Sequence, residues 1–107
     1  MPDNPYNGIK TEDLSYTDTD IVLNEPKMYK VILHNDHYTT MEFVVQILKS
    51  VFKKSTPEAV RIMLNVHRKG IGVCGAYTAQ IAETKVNEVH KRARESGFPL
   101  RCSMEPE

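Results

Sequence analysis

Residues 55–78, STPEAVRIMLNVHRKGIGVCGAYT, constrain the fold more than any other stretch of the chain. They spell a helix with both ends marked and a strand directly after it. Ser55 or Thr56 can cap the start by accepting from an unpaired N–H of the first turn. Pro57 suits that first turn, because its missing N–H would have found no partner there. Ala59, Ile62, Met63 and Val66 recur at the helical period and make one apolar stripe. The cations of "HRKG" face the negative end of the helix dipole, and Gly70 supplies the residue on which helices commonly end. "GVCGAYT" (72–78) then reads as a strand. A change of period at a single glycine predicts a layered fold, with helix packed against sheet.

The flanking sequence extends this pattern. "MYKVILH" (28–34) is β-branched and apolar and has the length of a strand. Thr39 and Glu42 have capping-box spacing, which predicts a helix starting near Thr40. Met41, Val44, Val45, Leu48, Val51 and Phe52 follow at helical spacing. Thr78 can cap a third helix whose stripe is Ala82, Val86, Val89 and Ala93, and Gly97 and Pro99 end it. "LRCSM" (100–104) reads as a last strand. The predicted order is β-α-α-β-α-β, an α+β or α/β sandwich with helices on one face of a short sheet. Residues 1–27 are polar, without sustained periodicity, and read as a flexible tail before a domain at 28–107.

Composition removes several functional classes. The chain has 107 residues, with 14 Lys and Arg against 14 Asp and Glu, so it has no electrostatic footprint for nucleic acid. Cys74 and Cys102 are too few for a disulfide scaffold and read as reduced core thiols. No apolar run reaches the length of a membrane span, and the first residues lack a signal-peptide pattern, so the cytoplasm is the expected compartment.

Four motifs carry possible chemistry. "GIGVCG" (70–75) has dinucleotide-fingerprint glycines in an inverted context, helix before and strand after, and reads better as a helix exit and a strand entry. His34, His37 and His67 could assemble as metal ligands. The plainer reading makes His34 and His90 exposed loop histidines. Cys74 with His67 is a thin case for nucleophilic catalysis, because a thiol inside an apolar strand is inert. The fourth arrangement uses the most residues. Asn35, Asp36 and His67 can all accept from an ammonium. Met63, Val66 and His67 share one helix face, and Met41 and Val44 open another helix. The loop before one helix and the end of the next can meet around an apolar hole with a polar rim. From spacing alone, the plainer account is that the four apolar residues fill the core.

"MYKVILHNDHYTTMEFVVQIL", "IMLNVHRKGIGVCG", "TAQIAETKV" and "FPLRC" together resemble the ClpS adaptor family over about residues 26–105. The resemblance implies a three-stranded antiparallel sheet backed by three helices, an α+β fold similar to the C-terminal domain of the ribosomal stalk protein. It implies an adaptor with no catalytic residues, cofactor or metal, and a monomeric state. Such an adaptor binds N-degrons, which begin with a bulky apolar or aromatic residue. It hands them to the N-terminal domain of a ClpA-type AAA+ unfoldase for degradation by ClpP. Carried over by position, the amino group falls to Asn35, Asp36 and His67, with His37 standing where relatives usually place a second acid. The pocket falls to Thr39, Met41, Val44, Met63, Val66 and Leu100. Unfoldase docking falls to Tyr38, Gln80, Thr84 and Lys85. Thr40 replaces a common proline, and Gln80 a frequent glutamate. Two readings from other classes remain beside it: a metal-binding protein using His34, His37 and His67, and a ribosome-associated domain.

Overall fold

The computed structural model describes residues 25–107. The expected tail thus lies outside the described residues except for 25–27, which are exposed and belong to no helix or strand. The elements run β1 (Met28–His34), α1 (Met41–Ser50), α2 (Thr56–Lys69), β2 (Ile71–Thr78), α3 (Ala79–Ser96) and β3 (Arg101–Pro106). The strands form one sheet in the order β2-β1-β3, antiparallel throughout. This is the expected three-stranded sheet with three helices.

Alternation along the strands decides which face the helices cover. Val31 and Leu33 of β1, Cys74 of β2 and Cys102 of β3 are buried in a single core with Ile47, Leu48, Ile62 and Val89 from the helices. Ile71 and Val73, on the opposite face, remain about half exposed. Burial pushes both thiols up, Cys102 to about 12 and Cys74 further, with Cys102 beside Cys74 adding to the effect. Neither is therefore an ionised nucleophile at neutral pH, and the Cys74–His67 pairing has no chemical basis.

The helix ends follow the sequence signals with one correction. Ser55 caps α2, its hydroxyl accepting from the Glu58 N–H at 3.4 Å, and Pro57 stands in the first turn. Gly70 ends α2 with φ 92°, a left-handed conformation open to glycine at little cost. Thr40, not Thr39, caps α1, accepting from the Phe43 N–H at 3.1 Å. Thr39 is drawn off by Asp36, as described below. Gly72 is needed for closeness: a Cβ there would lie 2.6 Å from Val66 Cγ2 and 3.1 Å from the Ile62 carbonyl. That contact seats β2 against α2.

Both histidines expected on exposed loops lie instead within regular elements. His34 ends β1, and its Nε2 is 2.7 Å from Ser103 Oγ on β3. Its pKa is lowered by burial and by the Arg101 charge. His90 sits on α3, and its Nε2 accepts from the Cys102 N–H at 3.0 Å. β3 is an edge strand, and this contact satisfies one donor that faces away from β1.

Candidate functional site

The segment between β1 and α1, residues 35–40, is built by its own polar groups. Asn35 donates its N–H to the Gly70 carbonyl at 2.9 Å, which ties the loop to the end of α2. Asp36 accepts from the Tyr38 N–H at 2.8 Å, the Thr39 N–H at 2.7 Å and the Thr39 hydroxyl at 2.7 Å. Burial on its own would raise the Asp36 carboxyl. The Thr39 and Tyr38 donors, with His37 nearby, outweigh it and hold the carboxyl below its usual range. The carboxylate is thus the clamp that folds the loop, and its charge stays at the rim.

This clamp, with α1 and α2, encloses a cavity of about 490 Å³, within the size range of ligand clefts. Met41 and Val44 of α1 and Met63 and Val66 of α2 supply its apolar lining. Asn35, Asp36, His37, Tyr38 and Thr39 line it from the loop, and His67 from α2. Val44, Met63 and Val66 are buried, while Met41 is 44% exposed at the mouth. So the core-filling account and the hole account both hold in part: three of these four residues are core residues whose surfaces also form a wall. Thr40 and Glu42 line the cavity too, and sequence reasoning assigned them no role there. Their signal was available, since they flank Met41 at the helix start.

Two expected placements differ. Leu100 is buried in the core cluster and does not line this cavity. His34, turned toward Ser103, is absent from the cavity that His37 and His67 line. The three histidines therefore do not converge, and among the described residues no group of three His, Cys, Asp or Glu is placed to hold a metal.

The electrostatics favour a cation at the mouth. The N-terminus of α1 contributes partial positive charge, but Asp36 and Glu42 bring two carboxylates to the same cavity and no lysine or arginine lines it. Asn35 and His67 have acceptor atoms to offer.

The four residues expected to dock an unfoldase come from two segments, the loop before α1 and the helix α3. Tyr38, 76% exposed, lines the cavity before α1. Gln80 and Thr84 are exposed on α3. Lys85 is half-buried, with Nζ donating to the Val51 carbonyl at 2.9 Å and lying 5.8 Å and 5.2 Å from the Phe52 and Tyr77 ring centroids. The ten residues of α1 run between Tyr38 and Val51, whose carbonyl Lys85 meets, a rise of roughly 15 Å.

A small α+β module with an apolar hole, a rim of acceptors and inert thiols is a binding protein, built for a group that is apolar at one end and cationic at the other. Comparison with known proteins gives the particular family. Residues 24–103 match the family model described as ATP-dependent Clp protease adaptor protein ClpS. The chain is 54% identical over 105 residues to the ATP-dependent Clp protease adapter protein ClpS of Lawsonia intracellularis, covering 98% of this chain and 96% of that protein. It is 67% identical over 82 residues to the same adapter from Desulfatibacillum aliphaticivorans, covering 77% and 79% respectively. Among solved structures, Agrobacterium tumefaciens ClpS2 bound to L-phenylalaninamide superposes with a TM-score of 0.75 at 46% identity, covering 78% of this chain and all of that one. The chain belongs to the ClpS family of Clp protease adaptors.

Proposed function

We propose that this chain binds proteins whose free N-terminus carries a bulky apolar or aromatic residue, and delivers them to the N-terminal domain of a ClpA-type AAA+ unfoldase for degradation by ClpP. The carrying observation is the juxtaposition, in one cavity, of the Val44, Met63 and Val66 wall with the Asn35 and His67 acceptors. L-phenylalaninamide, the molecule bound to the related ClpS2, combines a free α-amino group with an aromatic side chain and so has the chemistry this cavity suits.

The two halves of the ligand are recognised by different physics. Burying the first side chain contributes about 1.5–3 kcal/mol. The α-ammonium needs acceptors to offset its desolvation, and each charge-assisted hydrogen bond contributes about 1.5–3 kcal/mol. Asn35 and a neutral His67 accept directly. Asp36 acts through its charge, since its oxygens already serve the loop. His37 stands at the rim, and Met41 gates the mouth. Gln80, Thr84 and Lys85 on α3 face the unfoldase, and the adaptor works as a cytoplasmic monomer.

Fluorescence anisotropy with peptides that differ only in their first residue tests the reading. Leu, Phe, Tyr and Trp should bind, and Ala, Ser and Glu should bind at least tenfold more weakly, about 1.4 kcal/mol. Affinity independent of the first residue would refute it.

A further inference from the structure

Among the described residues, Lys53 is the one non-glycine residue with a positive φ, 57°. It stands three residues beyond α1, where the Lys54 N–H folds back to the Leu48 carbonyl at 3.0 Å. Chains usually make such an exit with glycine, because an L side chain in the left-handed region crowds the following carbonyl. The Lys53 side chain is exposed. Its side chain takes part in none of the ion pairs or side-chain hydrogen bonds found among the described residues, so only the backbone bond from Lys54 offsets the strain.

Its surroundings suggest what the lysine is for. Lys53 borders a depression of about 260 Å³ between the end of α1 and α3, which Thr84, Lys85, Glu88 and Arg92 also line. Three cations and one carboxylate face this space. Arg92 is fixed by Nε on Glu88 at 2.9 Å and Nη1 on Ser50 Oγ at 3.0 Å, and Lys85 by the Val51 carbonyl. These bonds hold two cations in place, yet only one of them is neutralised. The surplus belongs to a basic domain within a neutral chain: residues 25–107 carry thirteen Lys and Arg against nine Asp and Glu, while residues 1–24 carry one against five.

We infer that this depression is a docking socket for a carboxylate-bearing surface of the partner protein, with Lys53 held in a strained conformation because its charge is needed at the rim. The inference rests on the adaptor reading and adds to it a determinant outside α3. Preformed side chains and surplus positive charge suit an acidic partner surface, and such contacts set specificity and encounter rate.

The test measures binding of the isolated N-terminal domain of a ClpA-type unfoldase to the full chain and to Lys53→Gly, Lys53→Arg and Lys53→Glu. Lys53→Gly should raise the thermal midpoint by about 3 °C, because it relieves the left-handed strain, while weakening docking about fivefold. Lys53→Arg should dock within about twofold of the parent, and Lys53→Glu should lose more than about tenfold. The differences should shrink in high salt, and an N-degron peptide should bind all four proteins equally. A Lys53→Gly protein that is stabilised and docks as tightly as the parent would overturn the inference alone, as would tighter docking by Lys53→Glu. A parent chain that binds the peptide but not the unfoldase domain would overturn it together with the partner assignment, leaving the peptide-binding reading standing.

Discussion

At the N-terminal end of α1, Asp36 accepts three hydrogen bonds from residues two and three positions along the chain. At the C-terminal end, Lys85 reaches from α3, 34 positions away in sequence, to donate one to the Val51 carbonyl. The first contact is local, and it shapes a loop without filling the space beneath it, so a cavity remains. The second joins two helices and is covered by the Phe52 and Tyr77 rings, so only a shallow charged depression remains. Both residues resemble ligand-contacting positions of the family. In this fold each is first a structural tie, and what it offers a partner is the charge left over. The difference is that the N-terminal end keeps an apolar wall accessible and the C-terminal end does not.

The largest expected effect comes from breaking the wall alone. Gly72→Ala forces a Cβ against Val66 and the Ile62 carbonyl and should destabilise the domain by about 2–3 kcal/mol in urea unfolding. Because Val66 lines the cavity, peptide affinity should fall more than unfoldase docking does. Equal losses at both ends would mean that the two sites are not separable. Next, Asp36→Ala removes the loop clamp. It should cost about 1–2 kcal/mol, discounted for its exposure, and reduce peptide affinity more than tenfold. The sign with pH is fixed by the depressed carboxyl. Its stabilisation is present above the unfolded value of about 3.9 and is lost as pH falls through the lower folded value. The stability gap between parent and Asp36→Ala should therefore be constant above about pH 5 and close below about pH 4. A gap that persists unchanged in acid would show that the carboxylate does not clamp the loop.

At the other end, Lys85→Met keeps the aliphatic stem over the rings and removes the ammonium. A loss of about 1 kcal/mol is expected, with peptide affinity unchanged. A matching loss of peptide binding would show that the two ends communicate through α1. The smallest effect on stability, below about 0.5 kcal/mol, should come from Met41→Ala at the exposed mouth. Its effect is on selection: without the thioether, peptides beginning with Ile or Val should bind, because the steric bar to a β-branched side chain is gone. Continued refusal of those peptides would place the gate elsewhere.

What could be read from the sequence divides along the same line as the two ends. Strand and helix spans followed from period and punctuation because those are properties of one segment: β1 ran from Met28 to His34 as read, and Ser55, Pro57 and Gly70 marked α2 correctly. The Asn35, Asp36 and His67 grouping was visible because a loop and a helix end adjoin in the chain's own logic. Contacts between elements were not visible. His34 and His90 looked like spare loop histidines, yet one pairs with Ser103 and the other accepts the Cys102 N–H. Spacing within a segment says nothing about the strand that will lie beside it. Two adjacent threonines, Thr39 and Thr40, offer the same hydroxyl to the start of α1, and only Asp36, by taking Thr39, decides between them. The tie from Lys85 to Val51 is not legible either, because its acceptor, a backbone carbonyl, has no sequence signature. Leu100 was placed on the cavity wall by resemblance, but it is a core residue outside that lining.

Whether the rim recognises a free α-amino group is tested most directly by a matched pair of peptides. Two fluorescent peptides beginning with Phe, identical except that one is N-acetylated, are titrated with the full chain at neutral pH. The free-amine peptide should bind, and its acetylated twin should bind at least tenfold more weakly, since about 1.4 kcal/mol is less than one charge-assisted hydrogen bond supplies. Equal affinity for the two would contradict it, because the cavity would then be reading only the apolar side chain.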